Sequence, residues 1–303
     1  MRNKSVKTHR GVRPGVFKII KKPIKKIYNA ANLIFSSIVN TFAKYNIPLT
    51  KNNYRILKLK NKYKGKRCFI IGNGPSLEPE DLERLKGEIT FASNKIYKIF
   101  NLTTWRPTFY MVVDSIVLEE NVKDINLVEA KTKFTLNCYK DLFNADFYFN
   151  NNLYKNKSGT FSANIMESLY SSGSVSYHLL QIAHYMGFSE VYLLGHDYNF
   201  KGAISKTKDL SFLKLDDNSQ HYFSKEYIRA DEKKPGQAPE EIYHGMEKAK
   251  LVYEDSGRKI YNATRVSYLD VLEMRNFDEL LNNEEEVHNQ NNNGPLRQYQ
   301  ITP

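Results

Sequence analysis

The chain has 303 residues, 41% hydrophobic content and a net charge of +12. It is long enough for one large domain or two small ones around a sizeable core. With two cysteines, Cys68 and Cys138, and no Cys/His cluster at zinc spacing, a disulfide scaffold and a zinc-ligand motif are both excluded.

The charge is unevenly distributed. Residues 1–67 hold 19 Lys and Arg and no acid, whereas the rest carries 26 basic and 33 acidic residues, a net of −7. A nucleic-acid enzyme places basic residues in its body as well, so the asymmetry argues against nucleic acid and for an arm that meets an anionic surface. The 21 tyrosines and 17 phenylalanines suit an aromatic core or a stacking cleft, and equally a compositional bias toward Tyr, Phe, Asn, Lys and Ile.

Residues 1–15 are polar and basic and are expected to be disordered. From Val16 onward, Ile20, Ile24, Ile27, Ala31, Ile34, Ile38 and Phe42 recur at three- and four-residue spacing, which makes one apolar helical face, with lysines clustered at its front. The uncharged part, Ile27 to Ala43, is too short and too diluted with Asn, Ser and Thr to span a bilayer, which takes about 20 apolar residues. A cleaved signal peptide fits poorly for the same reason. A basic amphipathic helix over residues 16–45 suits the inner face of an anionic membrane. The alternatives are a helix packed on the body or one joining copies in a homo-oligomer. Residues 44–66 read as a linker or short helix.

The body then alternates. Expected strands are Cys68–Ile71, Ile89–Ser93, Phe109–Val113, Lys133–Asn137, Glu190–Leu194 and Lys259–Asn262. Expected helices lie at Pro79–Lys86, Lys95–Phe100, Val117–Lys123, Ser174–Met186, Glu241–Ser256 and Phe277–Leu281. Residues 144–163 and 198–240 read as irregular. The division is a basic, partly disordered arm with an amphipathic helix (1–65), a nucleotide-binding catalytic domain (66–282) and a disordered tail (283–303). Strands alternating with helices indicate an α/β fold, a Rossmann-like, mostly parallel sheet with helices on both faces.

Ligands of such sheets bind beyond the carboxyl ends of the strands, and several polar residues fall there. Gly72-Asn73-Gly74-Pro75-Ser76 follows the first strand, Asn94 the second, Asp114 the third, and Gly195-His196-Asp197 a later one. The glycine turn suits close approach of a phosphate, or is a tight turn with no ligand; it is neither a Walker A loop nor a dinucleotide fingerprint. Ser171-Ser172-Gly173-Ser174 opens a helix and is a second anion cradle, or plain N-capping. His196, Asp197 and His221 are candidates for proton transfer, although a strand-end Asp is also a cap and a loop His is also a surface residue. No Asp-x-Asp pair, the usual metal–diphosphate clamp, occurs.

Five motifs in order (Ile-Ile-Gly72-Asn73-Gly74-Pro75-Ser76-Leu77, Ala92-Ser93-Asn94, Ser171 to Ser174, Val191 to Tyr198, and Asp217 to Tyr222) resemble the bacterial CMP-sialic-acid-dependent sialyltransferases of the Campylobacter type. They also resemble the domain of unknown function 115 superfamily, grouped with 6-hydroxymethylpterin diphosphokinases, to which Gly257 through Thr264 is the better match. The resemblance spans about residues 66–281.

It implies a glycosyltransferase that moves a sugar from a nucleotide donor to a polysaccharide or glycolipid hydroxyl, and with the basic arm and the cysteine usage the expectation is a cytoplasmic, membrane-peripheral enzyme. The nucleotide sugar is a substrate, the acceptor a glycan or lipid-linked glycan, and no cofactor or metal is needed. In that reading His221 is the base and Tyr198 assists the leaving phosphate. Gly72, Asn73, Gly74, Ser76, Asn94, Asp114, Ser172, Gly173, Ser174, Gly195, Asp197 and Tyr222 line the nucleotide and substrate site. Three positions depart from the sialyltransferase pattern: Tyr198 stands one place early, Leu169 replaces an arginine, and Asp114 replaces an asparagine. The alternatives are an ATP- and Mg²⁺-dependent pterin diphosphokinase and a non-catalytic nucleotide-binding scaffold.

Overall fold

The computed structural model describes residues 30–31, 33–151, 160–199, 222–224, 227 and 239–282. The helix expected to start near Val16 is described only from residue 30, and the tail lies outside the described residues.

Eight strands form one parallel sheet in the order β5-β4-β3-β2-β1-β6-β7-β8. They are β1 (Arg67–Ile71), β2 (Thr90–Ser93), β3 (Phe109–Val112), β4 (Thr132–Leu136), β5 (Phe147–Phe149), β6 (Glu190–Leu194), β7 (Lys259–Asn262) and β8 (Glu273–Met274). The chain builds outward from β1 to β5, then returns to lay β6 on the other side of β1. Ile71 pairs with Ala92 on one side and Leu194 on the other. The direction of strand order therefore reverses at β1, where open α/β sheets bind ligands.

Both faces are covered, and the apolar runs divide between them by the two-residue period of a strand. Cys68, Ile70, Phe109 and Met111 belong to one core, and Phe69, Ile71, Tyr110 and Val112 to the other. The first core takes α5 (Val175–Met186) and α6 (Pro239–Asp255); the second takes α3 (Pro79–Arg84) and α4 (Ser115–Leu127). Ten of the 12 residues of α5 are buried, which makes it the central helix of its layer. It is capped by Ser174 and stopped by Gly187, whose φ of 90° is the left-handed ending that glycine allows.

The stretch before β1 packs on the body. Helix α1 (residues 33–44) touches it through Val39 and Ala43. Helix α2 (Lys51–Leu57), capped by Thr50, buries Ile56, and Leu59 follows it into the core. The backbone N–H groups of Asn61, Tyr63 and Gly65 donate to the carbonyls of Tyr185, Met186 and Gly187 at the end of α5. A last helix, α7 (residues 277–282), closes the second layer, where Arg265 grips buried Asp81 with two nitrogens, at 3.1 and 2.6 Å, and pairs with Asp278. No described helix is long and apolar enough to cross a membrane.

Candidate functional site

A cleft of about 360 Å³ opens over the carboxyl ends of β1, β2, β3 and β6. Three sets of residues form its walls.

The first wall is the glycine turn. Three of its N–H groups are already taken: Gly72 N donates to Leu194 O at 2.7 Å, Gly74 N to Gly195 O at 2.9 Å, and Ser76 N to Asp197 Oδ1 at 3.0 Å. Ser76 Oγ donates to Asp197 Oδ2 at 2.9 Å. A Cβ on Gly72 would lie 2.2 Å from Gly195 O, and one on Gly74 would lie 1.9 Å from Asp197 Oδ2. The glycines thus let β1's turn close on β6's turn, and neither has a positive φ. The glycines therefore serve this contact between the two turns, and the turn also lines the cleft. Asp197 is buried, and burial raises its pKa against the pull of the Ser76 bonds. Within the turn Asn73 remains available: its amide donates to Ser93 O, and its buried Oδ1 has no partner among the described residues.

The second wall is the start of α5. Gly173 turns with φ 67°, and the Ser174 hydroxyl accepts the Ser176 N–H at 3.2 Å. Ser176 Oγ lies 2.8 Å from His196 Nε2, while His196 Nδ1 lies 3.1 Å from Leu194 O. A carbonyl can only accept, so His196 carries its proton on Nδ1 and Nε2 accepts the Ser176 hydroxyl. Burial lowers the His196 pKa to about 4, offset in part by the Leu194 carbonyl. With both nitrogens engaged, His196 is a neutral anchor at neutral pH rather than a base poised near 7, which corrects its candidacy for proton transfer. Tyr198 follows with φ 48°, a region few side chains adopt. Burial pushes its phenol up to about 12, against the pull of the Ser174 and Ser176 hydroxyls.

The third wall comes from β2, β3, residues 222–224 and Tyr227. Asn94 has φ 52°, and its buried Oδ1 is without a partner among the described residues. Lys95 is 4% exposed, with its ammonium 4.9 Å from the Tyr227 ring centre. Tyr227 stacks on Tyr222 at 4.0 Å, and Phe223 N donates to Asn73 O at 3.1 Å. Asp114 caps α4 through Oδ1, which accepts from Ile116 N and Val117 N.

The fold thus brings Gly72, Asn73, Gly74, Asn94, Asp114, Gly173, Ser174, Gly195, Asp197, Tyr198 and Tyr222 to one cleft. Two candidates lie off it. Ser76 holds Asp197, and Ser172, 3% exposed, donates its hydroxyl to the Glu241 carbonyl and so fastens α6 to the start of α5. His221 lies outside the described residues. Lys95, Asn121, Ser176, His178 and Tyr227 line the cleft without having been singled out from sequence. Ser176 and His178 were within reach, since they follow the Ser174 cap by two and four residues. Nothing local marks Tyr227.

A family profile described as 6-hydroxymethylpterin diphosphokinase MptE-like matches residues 43–203, just over half of the chain. No curated protein sequence matches. Two solved structures are similar, both of the sialyltransferase CstII from Campylobacter jejuni. The one with the substrate analogue cytidine-5'-monophosphate is 15% identical at a TM-score of 0.41, covering 71% of this chain and 86% of that chain. The one with CMP-3FNeuAc is 17% identical at a TM-score of 0.38, covering 69% of this chain and 86% of that chain.

Proposed function

The chain belongs to the 6-hydroxymethylpterin diphosphokinase MptE-like family, and from that premise we propose that it is a nucleotide-dependent transferase, with a sugar nucleotide as donor and an acceptor hydroxyl as nucleophile. One observation carries the reading. Where the strand order reverses, four strand ends meet in a cleft holding the unpartnered Oδ1 atoms of Asn73 and Asn94, the start of α5 and the buried Lys95. Unsatisfied buried polar atoms in a cleft wall call for a polar ligand.

The motif resemblance assigns proton abstraction to His221. Tyr198, kept neutral by burial beside the hydroxyls of Ser174 and Ser176, is assigned hydrogen-bond donation to the leaving phosphate. Positioning for in-line attack and hydrogen bonds to the departing charge supply the rate.

The family description also supports a second reading, pyrophosphoryl transfer to a pterin alcohol. Its Mg²⁺ fits these residues poorly. Asp114 Oδ1 and both oxygens of Asp197 are engaged by N–H and O–H donors, and the described residues hold no group of three His, Cys, Asp or Glu able to bind a metal ion.

The test is a thermal-shift panel of CMP-, UDP- and GDP-sugars and ATP, because a ligand that binds only the folded chain raises its melting temperature, followed by donor hydrolysis with and without EDTA. One sugar nucleotide should stabilise the protein and turn over in EDTA. EDTA-sensitive transfer from ATP to 6-hydroxymethylpterin, without sugar-nucleotide binding, would replace the first reading by the second.

The acceptor is delivered at the cytoplasmic face of an anionic membrane, where α1 docks. Its Ile34, Phe35, Ile38 and Phe42 form an exposed apolar stripe, 63, 56, 45 and 40% accessible, beside a segment with 19 basic residues and no acid. Full-length protein should float with anionic liposomes, and the triple variant Ile34→Ser, Ile38→Ser, Phe42→Ser should float less. Equal flotation would defeat the membrane reading, and a dimer lost in the triple variant would assign the stripe to self-association.

A further inference from the structure

His178 has no role in the chemistry above, yet it lines the cleft while only 2% exposed. Neither ring nitrogen has a hydrogen-bond partner among the described residues. Burial lowers its pKa to about 4; the Ser174 carbonyl is near enough to counter this slightly, without hydrogen-bond geometry. The ring is therefore a neutral imidazole, with one N–H to donate. Buried polar groups are normally satisfied, and an orphan one in a cleft wall points to a missing ligand.

Its position says which ligand. α5 has 12 residues, and its amino end meets the cleft through Gly173, Ser174, Val175 and Ser176. The Ser176 and Tyr177 N–H groups are taken by Ser174, through Oγ and the carbonyl respectively. No acceptor among the described residues takes the Val175 N–H. Residues three and four apart share a helix face, so His178 stands one turn behind Ser174 and Val175 on the same side. The helix dipole favours negative charge there, and Lys95 lines the same cleft.

We propose that His178, the Val175 N–H and the Ser174 hydroxyl form the phosphoryl subsite of this cleft, with the His178 imidazole donating to a phosphate oxygen of the nucleotide. This deepens the nucleotide reading and rests on it for the carrier of the phosphate. It puts the anion site at the far wall rather than at the glycine turn, where the N–H groups of Gly72, Gly74 and Ser76 are occupied.

The experiment is calorimetric titration with inorganic pyrophosphate, and with CMP and ADP against cytidine and adenosine, for wild type, His178→Phe and His178→Gln. Imidazole ¹⁵N resonances of the wild type are followed during the pyrophosphate titration. Loss of a hydrogen bond to a charged oxygen should weaken pyrophosphate and nucleotide binding about 10- to 100-fold in His178→Phe. Nucleoside binding should be unchanged, His178→Gln should recover part of the loss, and the His178 resonances should shift on titration.

Pyrophosphate binding that depends on His178, with no nucleotide bound, would leave the subsite standing and sink the nucleotide reading. Nucleotide binding equally tight in His178→Phe would do the reverse. Binding of none of these probes by the wild type would overturn both. If His178→Phe does not fold, unmoved His178 resonances in the wild type still overturn the subsite.

Discussion

Gly74→Ala tests how the two strand-end turns are locked together. An alanine Cβ would lie 1.9 Å from Asp197 Oδ2, where real contacts stay beyond about 3.0 Å, and 2.7 Å from the Gly195 carbonyl. The carboxylate must retreat by about 1 Å, which stretches its bonds to Ser76 N and Oγ, now 3.0 and 2.9 Å, to near 4 Å. A hydrogen bond to a charged group contributes about 1.5–3 kcal/mol, so losing both costs about 3–6 kcal/mol. The assay is urea unfolding of four chains: wild type, Gly74→Ala, Asp197→Ala and the double variant. With the carboxylate gone, the alanine meets only the Gly195 carbonyl, so the double variant should be more stable than the two single losses added would allow, by about 1.5 kcal/mol or more. A Gly74→Ala penalty under about 1 kcal/mol, or strictly additive penalties, would refute the lock.

Acid should destabilise the fold in a defined window. His178, His184 and His196 all have pKa values lowered by burial from 6.5 to about 4. A base depressed in the fold is held neutral, so its stabilisation is complete above the unfolded value of 6.5 and is lost as pH falls toward 4. From pH 7 to 5 each should cost up to about 2 kcal/mol, and Asp197, whose raised pKa acts in the opposite sense, offsets part. A urea midpoint unchanged or higher at pH 5 would contradict this. Arg265→Ala should lower stability by about 2–4 kcal/mol, because it strands the Asp81 carboxylate, which is 1% exposed. Arg265→Lys should recover only part, since one ammonium cannot reproduce the two-nitrogen grip. Thermal unfolding of both variants checks it, and a loss under about 0.5 kcal/mol for Arg265→Ala would show that Asp81 finds another partner.

Most of the sheet could be read from the chain. β1, β2, β3, β4, β6 and β7 fall within one residue of the strands expected from sequence, because strands covered on both faces are rich in apolar and β-branched residues. β5 and β8 could not. They have three and two residues, sit at the two ends of the strand order and pair on one side only, so local composition carries little signal. Residues 58–66 gave a basic, polar pattern, while their attachment to α5 is made by backbone groups, which side-chain periodicity does not record.

For the site, the sequence alone determined where the cleft lies. Glycines, asparagines and hydroxyls accumulate after the strands, and a parallel sheet places all those ends on one rim. It could not determine what each polar group faces. Ser76 and Asp197 are 121 residues apart, and Ser172 and Glu241 are 69 apart, so whether a hydroxyl meets a ligand or its own chain is settled only when the strands assemble. The same holds for His178, which in the sequence is one residue of an apolar helix. Only the tertiary structure buries its ring in the cleft wall with both nitrogens unmatched. The physical reason is common to these cases: hydrogen bonding is short-ranged in space and indifferent to separation along the chain, whereas the patterns readable in a sequence are local.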